Sequence, residues 1–140
     1  MNKIIFLFLI TIIFINSSAK AELSNYEKGK NFFTEKKYDL AKFKFEQDIV
    51  FNPKNENSYL YLAKIYNKKR NDNQEEKNLK TVILLNPKNE EAIYNLTLLK
   101  IRKSNYTESK KLIKDFKTVC KDLCMQTSEL QNKLDTVLKK

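Results

Sequence analysis

Asn52-Pro53-Lys54-Asn55-Glu56 recurs unchanged as Asn86-Pro87-Lys88-Asn89-Glu90, 34 residues further along the chain. Proline lacks an N–H and its ring clashes with the preceding turn, so each copy ends an incoming helix, and proline is accepted at the start of the next. A helix stop repeated at the length of two short helices plus turns predicts one helix pair stacked on another. One Gly and two Pro in 140 residues, with 41% hydrophobic side chains, fit a single helical domain better than a turn-rich sheet.

The N-terminus follows a different logic. Asn2 and Lys3 lead into an apolar run from Ile4 to Ile15, broken only by Thr11, and Ser17-Ser18-Ala19-Lys20-Ala21 follows. A basic start, a short apolar run and an Ala-x-Ala ending read as a secretory signal peptide over 1–21, with Glu22 as first mature residue and cleavage after Ala19 as the alternative. An uncleaved anchor would need about 18 to 20 apolar residues to span a bilayer, more than this run supplies. The expected location is therefore across the inner membrane, periplasmic in a bacterium or otherwise extracytoplasmic.

Loss of Lys3 and Lys20 with that segment lowers the formal charge from +10 to +8. The lysines are scattered over every expected helix, and only Arg70 and Arg102 carry guanidinium. No aromatic-basic nucleic-acid motif is present, so nucleic acid is not an expected partner. Contact with an anionic bilayer surface stays open. The chain has no His, which removes the commonest general base and metal ligand. Glu75 with Glu76, and Glu90 with Glu91, are helix neighbours that point about 100° apart and cannot flank one substrate atom. Neither catalysis, a cofactor nor a metal is expected.

In three rows offset by 34 residues, the first reads Asn25, Lys28, Gly29, Phe32, Ala41, Phe45, Pro53. The second reads Tyr59, Leu62, Ala63, Tyr66, Glu75, Leu79, Pro87, and a weaker third reads Ile93, Leu96, Thr97, Lys100, Ser109, Ile113, Lys121. This resembles the tetratricopeptide-repeat family, whose pattern is a large residue, x2, Leu, small, x2, Tyr, then Ala, x3, Phe and a closing Pro. The resemblance implies an all-α superhelix, a solenoid of about three helix hairpins over 22–140. Repeats are expected at about 22–55, 56–89 and 90–123, with a capping helix at about 126–139 carrying Leu130, Leu134, Val137 and Leu138. Within them, helix pairs are expected at roughly 24–51, 56–85 and 90–119.

Gly29, Ala63 and Thr97 are the small residues needed where two antiparallel helices approach closely, and Ala41 serves the second helix likewise. Phe32, Tyr66, Phe45 and Leu79 read as core, with Phe51, Leu85 and Val119 closing each pair. Glu75 in the place of Ala41 calls for solvent or a Lys partner, and predicts a shifted or frayed helix start near Asn71-Asp72-Asn73-Gln74. Lys100 in an aromatic place predicts an ammonium held out in water and makes the third pair the loosest.

Cys120 and Cys124 fall at the registers of Asn52 and Glu56, astride an inter-helix turn without the proline. In an oxidising compartment a disulfide there would clamp the turn; a redox dithiol and two free thiols are the other readings.

In this family the first helices of successive pairs line a concave groove. Carried over by the 34-residue offset, the rungs are Tyr26, Leu60 and Tyr94; Lys30, Lys64 and Leu98; Phe33, Asn67 and Ile101; and Thr34, Lys68 and Arg102. The resemblance implies a non-enzymatic scaffold that grips an extended or helical peptide with acidic groups, and the signal-peptide reading makes it an exported one. Some members clamp a C-terminal carboxylate through Lys and Asn; Tyr26, Tyr61 and Asn95 stand where that clamp needs other residues. The alternative is a peripheral membrane-surface protein tethered by an uncleaved N-terminal segment.

Overall fold

Asparagines decide where four of the helices begin. The computed structural model describes residues 23–139, so the signal-peptide reading of 1–21 lies outside the described residues. The helices are α1 (Asn25–Thr34), α2 (Tyr38–Phe51), α3 (Glu56–Lys68), α4 (Asp72–Leu85), α5 (Glu90–Arg102), α6 (Tyr106–Val119) and α7 (Gln126–Leu138). Asn55, Asn71, Asn89 and Asn105 each accept a backbone N–H of the first turn of α3, α4, α5 and α6, satisfying a donor that has no intrahelical partner. α2 starts without a side-chain cap, because Lys37 stands where Asn71 and Asn105 stand in the later hairpins.

The prolines lie in the turns and not at the first position of the next helix. Asn55 N–H donates to the Asn52 carbonyl at 3.0 Å and Asn89 N–H to that of Asn86 at 3.1 Å, so Pro53 and Pro87 hold the second place of a four-residue turn. The turn inside each hairpin is the same device three times over. Lys36, Arg70 and Ser104 have φ of 60°, 56° and 56°. The next residue's N–H reaches back to Phe32, Tyr66 or Lys100, the paired bonds of a Schellman cap.

α1 and α2, α3 and α4, and α5 and α6 pair as hairpins, each packed on the next, and α7 lies against α5 and α6. Ala41, Phe45, Leu62 and Ile65 fill the space between the first and second hairpins. Leu60, Ala63, Leu79 and Val82 open a second core that runs on through Leu96, Leu99, Ile113 and Phe116 to Leu130 and Leu134 of α7. Gly29 is required by packing: a Cβ there would lie 2.8 Å from the Phe45 ring. Smaller partners, Leu79 and Ile113, accompany Ala63 and Thr97 in the corresponding places.

Several expectations need correction. α4 is neither shifted nor frayed, since Asn71 caps it and Glu75 is buried with a guanidinium partner instead of a lysine. The Lys100 ammonium is not in water but lies 2.7 Å from Glu76 and 2.8 Å from Glu108. The third hairpin, expected to be the loosest, is covered by α7, and its Leu99 and Phe116 are fully buried. Phe51 does not close the first pair; it is 75% exposed, with no element over the end of α2 among the described residues. Leu138 likewise lies outside the seam that buries Leu130 and Leu134.

The repeated glutamate joins successive turns. Glu56 accepts from the side-chain amides of Asn86 at 2.8 Å and Asn89 at 3.2 Å. One repeat later, Glu90 accepts from the backbone N–H groups of Leu123 at 2.8 Å and Asp122 at 3.1 Å. Those N–H bonds, Leu123 foremost, hold the Glu90 carboxyl below its usual range.

Candidate functional site

α1, α3 and α5 contribute to one wall, and the side chains between them frame a cleft of about 300 Å³. Its apolar floor is Phe33, Ala63 and Leu79, and its rim carries Lys64, Asn67, Lys68 and Asn95. Lys64 is held by Glu91 at 2.7 Å and lies 5.0 Å from the Tyr61 ring centre. Lys68 and Asn95 have no side-chain partner among the described residues.

Tyr61, which sequence reasoning used only to argue against a carboxylate clamp, is the hub of an aromatic cluster. It stacks on Phe45 at 4.8 Å and meets Phe33 edge-on at 5.1 Å and Tyr26 at 6.1 Å. Tyr26 is thereby engaged in packing, and burial, with the neighbouring Tyr61 next, raises its pKa. Lys30 sits over the Tyr26 ring and pairs with Glu27 at 3.3 Å.

The expected rungs separate into distinct environments. Phe33, Lys64, Asn67 and Lys68 share the cleft. Leu60 and Ile101 are core residues, 6% and 8% exposed, because the first helices turn these positions into the next hairpin instead of the groove. Leu98 and Arg102 face a separate, more open depression against Glu129, Lys133 and Val137 of α7. Tyr94 packs on Phe116 and donates its hydroxyl to Glu129 Oε2 at 3.0 Å. Desolvation, and then that carboxylate, pushes the Tyr94 hydroxyl up to about 12. Tyr26 and Tyr94 therefore hold the stack together. Glu75 lines the cleft without having been expected there, and Asn95, expected only as a residue that does not suit a carboxylate clamp, lines it too; no local motif distinguishes them, since both arrive through the helix register.

Cys120 and Cys124 are joined by a disulfide across the turn between α6 and α7, their Cα atoms 5.1 Å apart. Among the described residues, no cluster of three or more His, Cys, Asp or Glu could hold a metal ion, and no helix is long and apolar enough to cross a membrane.

Helix hairpins stacked in register, with a cleft on the side of their first helices, define a repeat solenoid. The particular solenoid is the tetratricopeptide-repeat fold. The TPR2B domain of yeast Sti1 in its pHsp70 complex superposes with a TM-score of 0.74 at 15% identity, over 80% of this chain and 94% of that one. The first TPR of Spaghetti (RPAP3), bound to the HSP90 peptide SRMEEVD, gives 0.74 at 21% identity over 83% and 91%. The Arabidopsis OM64 TPR domain gives 0.72 at 17% over 80% and 92%. No family model and no curated protein matches the sequence itself.

Proposed function

We propose that the chain is a non-enzymatic docking scaffold that holds a segment of another protein in the cleft between α1, α3 and α5. One observation carries this reading: an apolar floor of Phe33, Ala63 and Leu79 lies beside Lys68 and Asn95, whose side chains have no partner among the described residues. Such a site takes an apolar side chain and, next to it, an acidic or amide group. The domain of the same fold solved with an HSP90 peptide supports a peptide ligand. A C-terminal carboxylate clamp is not the mode, since Tyr26 and Tyr61 are committed to the aromatic cluster. The work is extracytoplasmic in this reading: residues 1–21 read as a signal peptide, and a disulfide is the chemistry of an oxidising compartment.

The test is a photo-crosslinking side chain at Asn95 in the native cell. Discrete protein adducts should form and should vanish when Phe33→Ala and Lys68→Glu are combined. Adducts unchanged in a folded double variant would remove this site.

A further inference from the structure

On the outer face of α2, away from the cleft, Leu40, Phe43, Val50 and Phe51 are 50%, 54%, 74% and 75% exposed. With Gln47 they recur at helical spacing, so they form one stripe along the whole helix. The later hairpins are more polar at the corresponding positions: Leu40 aligns with Gln74 and Glu108, Phe43 with Lys77 and Lys111, and Val50 with Leu84 and Thr118, while the counterparts of Phe51, Leu85 and Val119, are partly buried. Only the first hairpin is apolar at all of them.

The surroundings are cationic. Lys36 and Lys54 lie at the two ends of the stripe, and Lys44 lies beside Phe43, its ammonium 5.4 Å from the ring centre. No carboxylate pairs with any of these three among the described residues. The nearby acids are already neutralised: Glu35 by Lys37, Asp39 by Lys69 and Glu46 by Lys42. The four exposed side chains offer on the order of 500 Å², short of the roughly 800 Å² that each partner of a standard protein interface contributes. The face is also a ridge, with side chains projecting outward and a shallow, open depression at its end beside Phe51, Asn52 and Pro53. Apolar side chains on a ridge beside lysines that no carboxylate neutralises, Lys44 donating only to the neutral Gln47 Oε1 at 2.8 Å, match a fluid, negatively charged surface.

We propose that α2 docks the protein on an anionic lipid bilayer, with Leu40, Phe43, Val50 and Phe51 entering the headgroup region and Lys36, Lys44 and Lys54 meeting lipid phosphates. The test is co-sedimentation of the full chain with vesicles of phosphatidylglycerol and phosphatidylcholine, against phosphatidylcholine alone. The variant Leu40→Glu, Phe43→Lys, Val50→Thr imports the third hairpin's own residues without changing net charge, so its fold should survive; circular dichroism checks this. Binding should require phosphatidylglycerol, weaken as salt shortens the screening length from about 10 Å to about 3 Å, and fall at least tenfold in the variant. Equal binding of the folded variant would overturn the proposal, whichever other segment then held the chain. So would failure of the unaltered chain to bind, or a dimer in sedimentation that the variant dissociates, since a second copy would then be the occupant.

Discussion

The Glu75 carboxylate, 2% exposed, accepts a hydrogen bond from Arg102 Nη2 at 2.7 Å and so joins the second helix of one hairpin to the first helix of the next. Asn67 Nδ2 donates to its other oxygen at 2.9 Å, and Arg102 also pairs with Asp72 at 2.8 Å. A buried carboxylate stays in place only while those donors do. Arg102→Ala should lower stability by about 2 to 3 kcal/mol, because it strands the carboxylate. Glu75→Ala should cost much less, since Ala41 fills the equivalent position. The double variant should recover most of the loss, read as a urea double-mutant cycle; a stable single Arg102→Ala would show the pair to be inert.

Gly29→Ala would gain about 1 kcal/mol of helix propensity on an exposed helix. Here the added methyl meets the Phe45 ring, which is itself stacked on Tyr61 and cannot retreat. Overpacking of this kind costs about 1 to 3 kcal/mol. A net loss in the thermal midpoint is expected, and an unchanged or higher midpoint would mean the aromatic cluster can yield.

Glu76 gives the chain an acid-sensitive contact. Hydrogen bonds from Lys100 and then Lys80 lower its pKa from 4.5 to about 2. A depressed carboxylate stabilises the fold fully above its ordinary pKa and loses that contribution as the pH falls through about 2. Burial alone would lower the pKa of Lys100, but hydrogen bonds to Glu108 and Glu76 outweigh it and raise the value, so the lysine stays charged across this window. Glu76→Gln should therefore be less stable than the parent near neutral pH, and denaturant midpoints of the two should converge toward pH 2.

At Arg70, φ is 56°. A side chain in the left-handed region costs about 1 to 2 kcal/mol, part of which glycine returns as greater freedom of the unfolded chain. Arg70→Gly should raise stability by about 0.5 to 1 kcal/mol in urea unfolding, and Lys36→Gly should behave alike. A loss at both positions would contradict the cap.

Reduction of Cys120–Cys124 should lower stability by about 2 kcal/mol, the loop-closure entropy of so short a ring. The denaturant midpoint with and without reductant measures it, and Cys120→Ser with Cys124→Ser should reproduce the reduced value.

Much of the fold could be read from spacing alone. Pro53 and Pro87 mark the helix stops because a missing N–H and a ring clash are local properties. Gly29 marks a close crossing because only the absence of a Cβ serves there. The cleft was less legible. Phe33, Lys64, Asn67 and Lys68 do meet, but Leu60 and Ile101 of the same ladder turn inward, and a period fixes the register of a helix without fixing what covers it. Lys100 and Glu75 misled for a related reason: each looked like a charge needing solvent, while an oppositely charged partner lay 24 and 27 residues away in sequence.

The 34-residue period and the helix stops at Pro53 and Pro87 were settled by the sequence itself, because each rests on the backbone preferences of a few adjacent residues. Which charges are buried, how Glu56 and Glu90 bind the following turns, and that α2 keeps an apolar face in water were settled only by the stack. Those outcomes depend on which side chains from distant repeats converge, and convergence is a property of packing, not of order along the chain.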